Sequence, residues 1–121
     1  METIRKKSLE APEEIRKFPN GKVEVVTVGN VTFGKGTFQP GWKWSDHVKP
    51  IVQTESCQAP HTQFHIAGRM HVKMDDGTEM EFGPGDVGVI PPGHDAWVVG
   101  NTPVVVIDFT GFTHYAEPPK H

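Results

Sequence analysis

Three polar residues, His61, Gln63 and His65, recur at every second position in one short stretch of the chain. Alternate side chains of an extended strand point to the same face, so this stretch predicts a polar row along one side of a strand. Imidazole nitrogens bind divalent cations or transfer protons near neutral pH, and a nearby amide orients such groups by hydrogen bonding. The row indicates a polar site inside the fold and argues against a purely structural barrel packed with bulky apolar residues.

Other familiar catalytic patterns are absent from the sequence. It contains no Ser-His-Asp nucleophile set, no glycine loop of the kind that holds phosphate, and no paired cysteines for structural zinc. The acidic residues Asp75, Asp76 and Asp86 fall in predicted turns, which leaves a carboxylate pair open but unsupported. The single Cys57 cannot form an intrachain disulfide, and this fits a reducing, cytoplasmic location. As a thiolate it would bind a soft metal, and as a thiol it would be a small apolar side chain.

Composition limits the classes of partner. The chain has 121 residues, the size of one domain, and a net charge of −3. That charge gives no reason to expect a nucleic-acid or anionic membrane surface. No apolar run is long enough to span a membrane, and the first twenty residues are too charged for a secretory signal.

The positioning elements are predicted to be short strands. Turn signals recur at intervals of roughly eight to twelve residues, which is typical of a barrel or jelly roll, and no βαβ alternation is present. The predicted strands cover residues 22–28, 31–38, 63–66, 70–74, 78–82, 87–90, 96–99 and 104–109, with a half-buried aromatic strand at Trp42–Trp44. A helical turn is expected at Ala11–Arg16 because proline favours early helical positions. Pro50–Pro60 is expected to be an irregular loop that covers an opening.

The later part of this pattern resembles the cupin superfamily. The second cupin motif reads G-x5-P-x-G-x2-H-x3-N, and Gly85, Pro91 and Gly93 occur at its spacing. The resemblance implies an all-β, cupin-type double-stranded β-helix, or jelly-roll barrel, with a short irregular or partly helical N-terminal segment. The expected division is an N-terminal extension at 1–20, the barrel at 21–112 and a tail at 113–121. Local sequences are similar to those of small bacterial cupins that lack an assigned reaction.

The first cupin motif, G-x5-H-x-H-x3,4-E-x6-G, is altered. With Gly41 as its first residue, His47 matches the first histidine, Lys49 stands at the second, and His61 replaces the glutamate. The gap before His61 is longer than usual by the irregular loop. An alternative register places Glu55 and Cys57 at the two histidine positions; it restores the short spacing but loses the glycine.

The family geometry, applied in the preferred register, implies a metal site formed by His47, His61 and His94. His94 comes two residues before the expected motif histidine, whose place is taken by Ala96, and it is predicted to lie on a turn. Three neutral imidazoles leave coordination positions open, as in catalytic zinc, iron or copper centres. The sequence does not distinguish zinc, iron, manganese, nickel and copper.

The resemblance also frames the function. The leading hypothesis is a cupin that holds a divalent cation and a small polar or carboxylate ligand, with dioxygenase, isomerase or lyase chemistry. In it Lys49 orients an anionic substrate, while Gln63 or His65 gives acid–base or orienting support. The alternative is a non-catalytic small-molecule-binding or regulatory module, favoured by the departures at Lys49 and Ala96. A homodimer is expected from the family and from the sheet edges of a small barrel.

Overall fold

The computed structural model describes residues 3–119, and nearly all of its regular structure is β-strand. Nine strands occur in this part of the chain: β1 Glu14–Phe18, β2 Gly21–Val28, β3 Val31–Phe38, β4 His61–Ala67, β5 Arg69–Met74, β6 Glu79–Phe82, β7 Val87–Ile90, β8 His94–Val99 and β9 Val104–Asp108. Two single-turn helices, α1 Trp44–His47 and α2 Lys49–Val52, lie between β3 and β4. The all-β prediction is therefore confirmed.

The strands form two antiparallel sheets that pack face to face. The larger sheet has the order β1-β2-β3-β9-β4-β7, and the smaller has the order β6-β5-β8. Strands that are distant in sequence are neighbours here: β9 lies between β3 and β4, and β8 pairs with β5. This crossed order brings the start of β4 beside the end of β9, where the candidate site is built.

The core occupies the space between the sheets. Inward positions alternate along each strand, as in β8, where every second residue is buried. Among the largest fully buried side chains are Trp42, Trp44, Val104 and Val106. The same alternation in β4 buries the predicted polar row, so this strand directs polar atoms into an otherwise apolar interior.

The N-terminal region differs from the sequence-based expectation. Instead of a helical turn at Ala11–Arg16, the chain forms β1, which pairs with β2 from Phe18 opposite Gly21 to Glu14 opposite Val25. The turn at Asn20, which has a φ of 63°, reverses the chain between them. Pairing across this hairpin outweighs the local preference of proline for a helix start. The proposed boundary after residue 20 thus falls between two paired strands.

The region between β3 and β4 also differs from expectation. Trp42–Trp44 is not a strand: Lys43 makes one isolated bridge to Trp97, and Trp44 begins α1. The expected loop at Pro50–Pro60 begins inside α2 and is irregular only after Val52. Neither helix in the described residues has the length and hydropathy needed to cross a membrane.

Candidate metal centre

Three polar side chains meet inside one end of the barrel because the strands that carry them begin or end there. His61 is the first residue of β4, His94 is the first residue of β8, and Asp108 is the last residue of β9. All three side chains are directed inward, and each is at most 4% exposed. Since β4 and β8 belong to opposite sheets, the two imidazoles face each other across the sandwich with ring centroids 5.3 Å apart.

Cys57 reaches the same place from the loop before β4. Its backbone N–H donates to the carbonyl of His94 at 2.7 Å, and its own carbonyl accepts from the N–H groups of Gly93 and His94 at 2.7 and 3.3 Å. Gly93 has a φ of 93°, a conformation that favours glycine and that turns the chain sharply into β8. These bonds fasten the loop to the strand and fix the thiol beside the two imidazoles.

The three side chains form a candidate set of metal ligands. One ligand atom from each of Cys57, His61 and His94 lies within 4.8 Å of the other two. The sulfur of Cys57 is 3.9 Å from Nε2 of His61. Metal bonds of about 2.0–2.3 Å need the ligand atoms slightly closer than the widest of these separations, a shift within reach of side-chain rotation.

Hydrogen bonds fix which nitrogen of each imidazole is free. Nδ1–H of His61 donates to Oδ2 of Asp108 at 2.6 Å, and Nδ1–H of His94 donates to the carbonyl of Pro91 at 2.8 Å. In the neutral form of each ring, the lone pair is then on Nε2. A metal-bound histidine typically donates its other ring N–H to a carboxylate or a backbone carbonyl in this way.

Electrostatics favours a neutral His94 and a protonated Cys57 when no cation is bound. Burial, followed by the neighbouring His61, lowers the pKa of His94 to about 4. Burial, with a smaller contribution from the negative charges of Asp108 and Asp95, raises the pKa of Cys57 to about 12. The imidazole is therefore ready to donate at pH 7, whereas the thiol must lose a proton before it can bind a metal.

Asp108 organises the donor set, although no sequence motif pointed to it. Its Oδ2 accepts hydrogen bonds from His61 and from Nε2 of Gln63, the latter at 3.0 Å, while Oδ1 accepts from the backbone N–H groups of Thr110 and Gly111. Burial alone would raise the pKa of this carboxyl group, but the hydrogen bonds from His61, Gly111 and Thr110 outweigh it and lower the pKa. Asp108 therefore stays ionised and holds the proton on His61.

The residues after β9 cover the site. Gly111 lies against the ring of His61, and a Cβ atom at this position would clash with that ring and with the carbonyl of Pro60. Phe112 and Tyr115 follow, with ring centroids 5.6 and 5.8 Å from that of His61. Both rings are buried, so the C-terminal segment closes one side of the donor set to solvent.

Arg16 of β1 fastens this segment. Its guanidinium donates to the backbone carbonyls of Phe112, Thr113 and Tyr115, and it lies 3.5 Å from the carboxylate of Glu117. The arginine side chain is only 10% exposed. Arg16 thus fastens the cover over the site, together with the packing of Tyr115 on Phe18.

The structure brings together two of the three expected metal ligands. His61 and His94 lie in the donor set, and His94 begins a strand instead of lying on a turn. His47 lies outside it. This residue ends α1, and its Nδ1 accepts a hydrogen bond at 3.0 Å from the backbone N–H of Lys43, four residues earlier. Cys57 takes the third place, as the alternative register allowed, while the side chain of Glu55 is fully exposed.

The other expected site residues are dispersed. Lys49 begins α2, and its ammonium group lies 3.6 Å from Glu55 near the surface. Gln63 is buried beside His61, with its amide nitrogen bound to Asp108. His65 is fully buried but stacks on Phe82 at 5.0 Å, away from the donor set, and burial lowers its pKa. Neither Lys49 nor His65 lines a cavity at the site.

Two cavities adjoin the donor set. The inner one, of about 20 Å³, lies within the barrel and is lined by His61 and His94, together with Trp42 and Gln63. It has room for about one water molecule. The outer one, of about 330 Å³, lies at the barrel mouth and has Cys57 in its wall. Trp44 and Tyr115 line both cavities.

The chain shares its fold with proteins of known structure. No family model matches the chain, and no curated protein sequence is detectably similar. Solved structures do match: 103 chains are similar. Oxalate decarboxylase of Lactobacillus farciminis, in its formate complex, is 20% identical with a TM-score of 0.59, over 84% of this chain and 32% of its own. The present chain thus spans about a third of that protein.

Two neighbours are nearer to this chain in size. A cupin-like protein of Thermotoga maritima is 17% identical with a TM-score of 0.54, over 97% of this chain and 86% of its own. KdgF from a Halomonas species is 15% identical with a TM-score of 0.57, over 82% of this chain and 88% of its own. At these identities the likeness establishes the fold, so the chemistry must be argued from the donor set itself.

Proposed function

Since the chain has the cupin fold, we propose that it is a metal-binding protein that holds one divalent cation by Cys57, His61 and His94 and binds a small molecule beside it. The observation that carries the proposal is the convergence of these three buried donors, each with its ligand atom turned to the others. One thiolate and two imidazoles suit zinc, iron or copper better than magnesium or calcium, which prefer oxygen ligands.

The surrounding residues support this donor set. Asp108 keeps the proton on Nδ1 of His61, and the carbonyl of Pro91 does the same for His94. Both Nε2 atoms are thereby held as lone-pair donors. The rings of Phe112 and Tyr115 exclude water from one side, which strengthens electrostatic interactions at the site.

The chemistry available to such a site follows from its open position. A cation with three protein ligands, when bound, supplies Lewis acidity to a molecule at its fourth position. The protein side chains contribute binding, orientation and exclusion of solvent. The expected dioxygenase, isomerase or lyase activity would act on a molecule at this fourth position.

A second candidate function is a non-catalytic small-molecule-binding module. One observation favours it: Lys49, expected to orient the substrate, and His65, expected to give acid–base support, lie outside both cavities, and the amide of Gln63 is bound to Asp108. Proton transfer by these side chains therefore has no geometric support. A ligand that is recovered unchanged from the metal-loaded protein would favour the module, and its conversion would favour the enzyme.

We also propose that a second copy of the chain covers the outer face of the larger sheet. Outward residues of the adjacent strands β4 and β7 are apolar and exposed: Phe64 by 40%, Ile66 by 47%, and Val87 and Val89 by 73% each. β7 is also an edge strand, with backbone groups free to pair. An exposed patch of this kind is typical of an interface between subunits.

Metal analysis tests the proposed function. The protein is purified without chelators, loaded with zinc, and its metal content is measured for the wild type and for the Cys57→Ser, His94→Ala and His47→Ala variants. We expect one zinc ion per wild-type chain, loss in the first two variants, and retention in His47→Ala, the matched control for removal of an imidazole. Circular dichroism checks that each variant is folded. Stoichiometric zinc in folded Cys57→Ser and His94→Ala would contradict the proposal.

A further inference from the structure

The outer cavity lies between two segments that are far apart in sequence. One wall comes from the helices and the loop before β4, and the other comes from residues 110–117. Its volume of about 330 Å³ falls in the range of cavities that bind small organic molecules. Cys57, a proposed metal ligand, forms part of the wall, so a molecule in this cavity would lie directly beside the donor set.

The inner cavity is too small for such a molecule. At about 20 Å³ it accommodates a single water molecule, and buried aromatic rings of the core form part of its walls. Enlarging it would disrupt packing between Trp42 and Phe38, whose ring centroids are 4.4 Å apart. An organic ligand that reaches the cation must therefore approach from the barrel mouth.

The wall of the outer cavity is largely apolar. Aromatic, aliphatic and other apolar side chains form much of it: Trp44, Val48, Val52, Ala59, Pro60, Tyr115 and Ala116. The rings of Trp44 and Tyr115 are almost fully buried, so the accessible apolar surface of the cavity comes chiefly from Val52, Ala59 and Pro60. These surfaces favour a molecule that gains by leaving water.

Several polar groups of the wall are already bonded within the protein. Thr54 donates to the carbonyl of Ser56 at 2.8 Å, and Thr110 donates to that of Pro60 at 3.4 Å. His114 lies 3.1 Å from the carboxylate of Glu117. These groups have little capacity left to replace the hydration shell of a charged ligand.

The charge of the wall disfavours an anion. No lysine or arginine is among its residues, and the nearby guanidinium of Arg16 already contacts Glu117 and three backbone carbonyls. Lys49, which was expected to hold a substrate carboxylate, is directed to Glu55 instead. A carboxylate in this cavity would lose its hydration without gaining a cationic side chain in return.

We propose that the outer cavity binds a small, uncharged and largely apolar organic molecule, which lies over Val52, Ala59 and Pro60 with Cys57 in the wall beside it. This inference deepens the proposed function and rests on it for the role of the bound molecule at the cation. The recognition itself depends only on the shape and chemistry of the wall. It therefore holds for the metal-free protein as well.

Two ligands of matched size test the chemical class. Benzyl alcohol and benzoate are titrated into the full-length protein, as purified and after removal of metal with EDTA, and binding is followed by NMR. In the metal-free protein we expect benzyl alcohol to bind at least about tenfold more tightly than benzoate, a difference of about 1.4 kcal/mol. Chemical shifts of residues 110–117 should change on binding. Equal or tighter binding of benzoate would overturn the inference.

A filled cavity provides the second test. Val52→Trp places a large ring in the cavity, and Val31→Trp, at a 40% exposed position outside it, is the matched control. Binding of benzyl alcohol should be lost in the first variant and kept in the second. If Val52→Trp is unfolded, the comparison of the two ligands on the wild type still decides the matter.

The outcomes separate this inference from the proposed function. Stoichiometric zinc without any binding of benzyl alcohol would overturn the proposed ligand binding in the outer cavity and would still support the metal site. Binding of benzyl alcohol in a protein that takes up no zinc would support the cavity and contradict the metal site.

Discussion

Zinc affinity should rise about tenfold for each pH unit between pH 7 and 9. The prediction follows from Cys57, which is 4% exposed and whose pKa is raised to about 12, mainly by burial. A metal binds the thiolate, so one proton must leave the sulfur for each cation bound. At pH 7 this deprotonation opposes binding by about 7 kcal/mol, since the pKa lies about five units above the pH and each unit is worth 1.36 kcal/mol.

His94 should add little to this slope. The pKa of His94 is lowered to about 4, so its ring carries no proton to release in this range. As the pH rises toward the pKa of Cys57, the cost of deprotonation falls, and the apparent dissociation constant should decrease by about a hundredfold over two pH units. Above a pH of about 12 the dependence would disappear.

Two measurements check the number of protons that the protein releases when zinc binds. Zinc affinity is obtained by competition with a chelator of known proton linkage, at fixed free zinc. Calorimetry in two buffers with different ionisation enthalpies then gives the number of protons released per cation. We expect a value near one at pH 8. A pH-independent affinity with no proton released would show that the buried thiol is not a ligand, and the reasoning from Cys57 would fail.

Three further predictions concern the supports of the site and its outer face. Asp108→Asn should weaken zinc binding by about 10–100-fold, because one amide oxygen cannot accept all four hydrogen bonds that the carboxylate accepts, including the one from His61; unchanged affinity in a folded variant would refute this role. Arg16→Gln should speed proteolysis within residues 112–116 and cost about 1–3 kcal/mol in the free energy of unfolding, measured by denaturant titration. Unaltered protection of this segment would mean that other contacts hold it. Light scattering should give a dimer for the wild type and a monomer for Val89→Lys; a monomeric wild type would contradict the interface.

The strands were largely predictable because their signals are local. Glycine and proline turns divide the chain into short alternating segments, and the expected strands at 31–38 and 87–90 match those observed. β1 was missed, although the turn at Asn20 and Gly21 requires a strand on both sides. The proline at residue 12 favoured a helix there, and pairing with β2 decided otherwise.

The buried tryptophans show a second limit of local patterns. Trp42 and Trp44 alternate with Lys43, which resembles a strand with one buried face. Both rings are indeed buried, at 2% exposure each, but from a turn and a helix start. Alternation over three residues is too short to distinguish these cases.

Part of the candidate site could be predicted from the sequence, and the rest is evident only from the structure. The choice of His61 and His94 as ligands follows from the family pattern, although His94 was expected on a turn, whereas Cys57 was considered only as a possible soft-metal ligand and in the alternative register. Counting from Gly41 favoured His47, because spacing alone cannot show that the intervening residues fold into two helical turns. Those turns carry His47 away from the barrel interior.

No sequence motif indicated Asp108, because its partner His61 is 47 residues distant in the chain. One signal was present: it is the single acidic residue in the strand Val104–Asp108, whose other members are apolar. An acidic residue at an inward position of such a strand must be paired or hydrogen-bonded, because an isolated buried charge is costly. The identity of the partner comes only from the pairing of β9 with β4.

X-ray absorption at the zinc edge tests the central claim most directly, because it reports the atoms around the cation. For the zinc-loaded wild type we predict one sulfur at about 2.3 Å and two imidazole nitrogens at about 2.0–2.1 Å, with one further light atom. The spectrum of His47→Ala should be the same, and that of Cys57→Ser should lack the sulfur. A wild-type spectrum without sulfur, or one changed by loss of His47, would contradict the assignment of Cys57, His61 and His94 as the metal ligands.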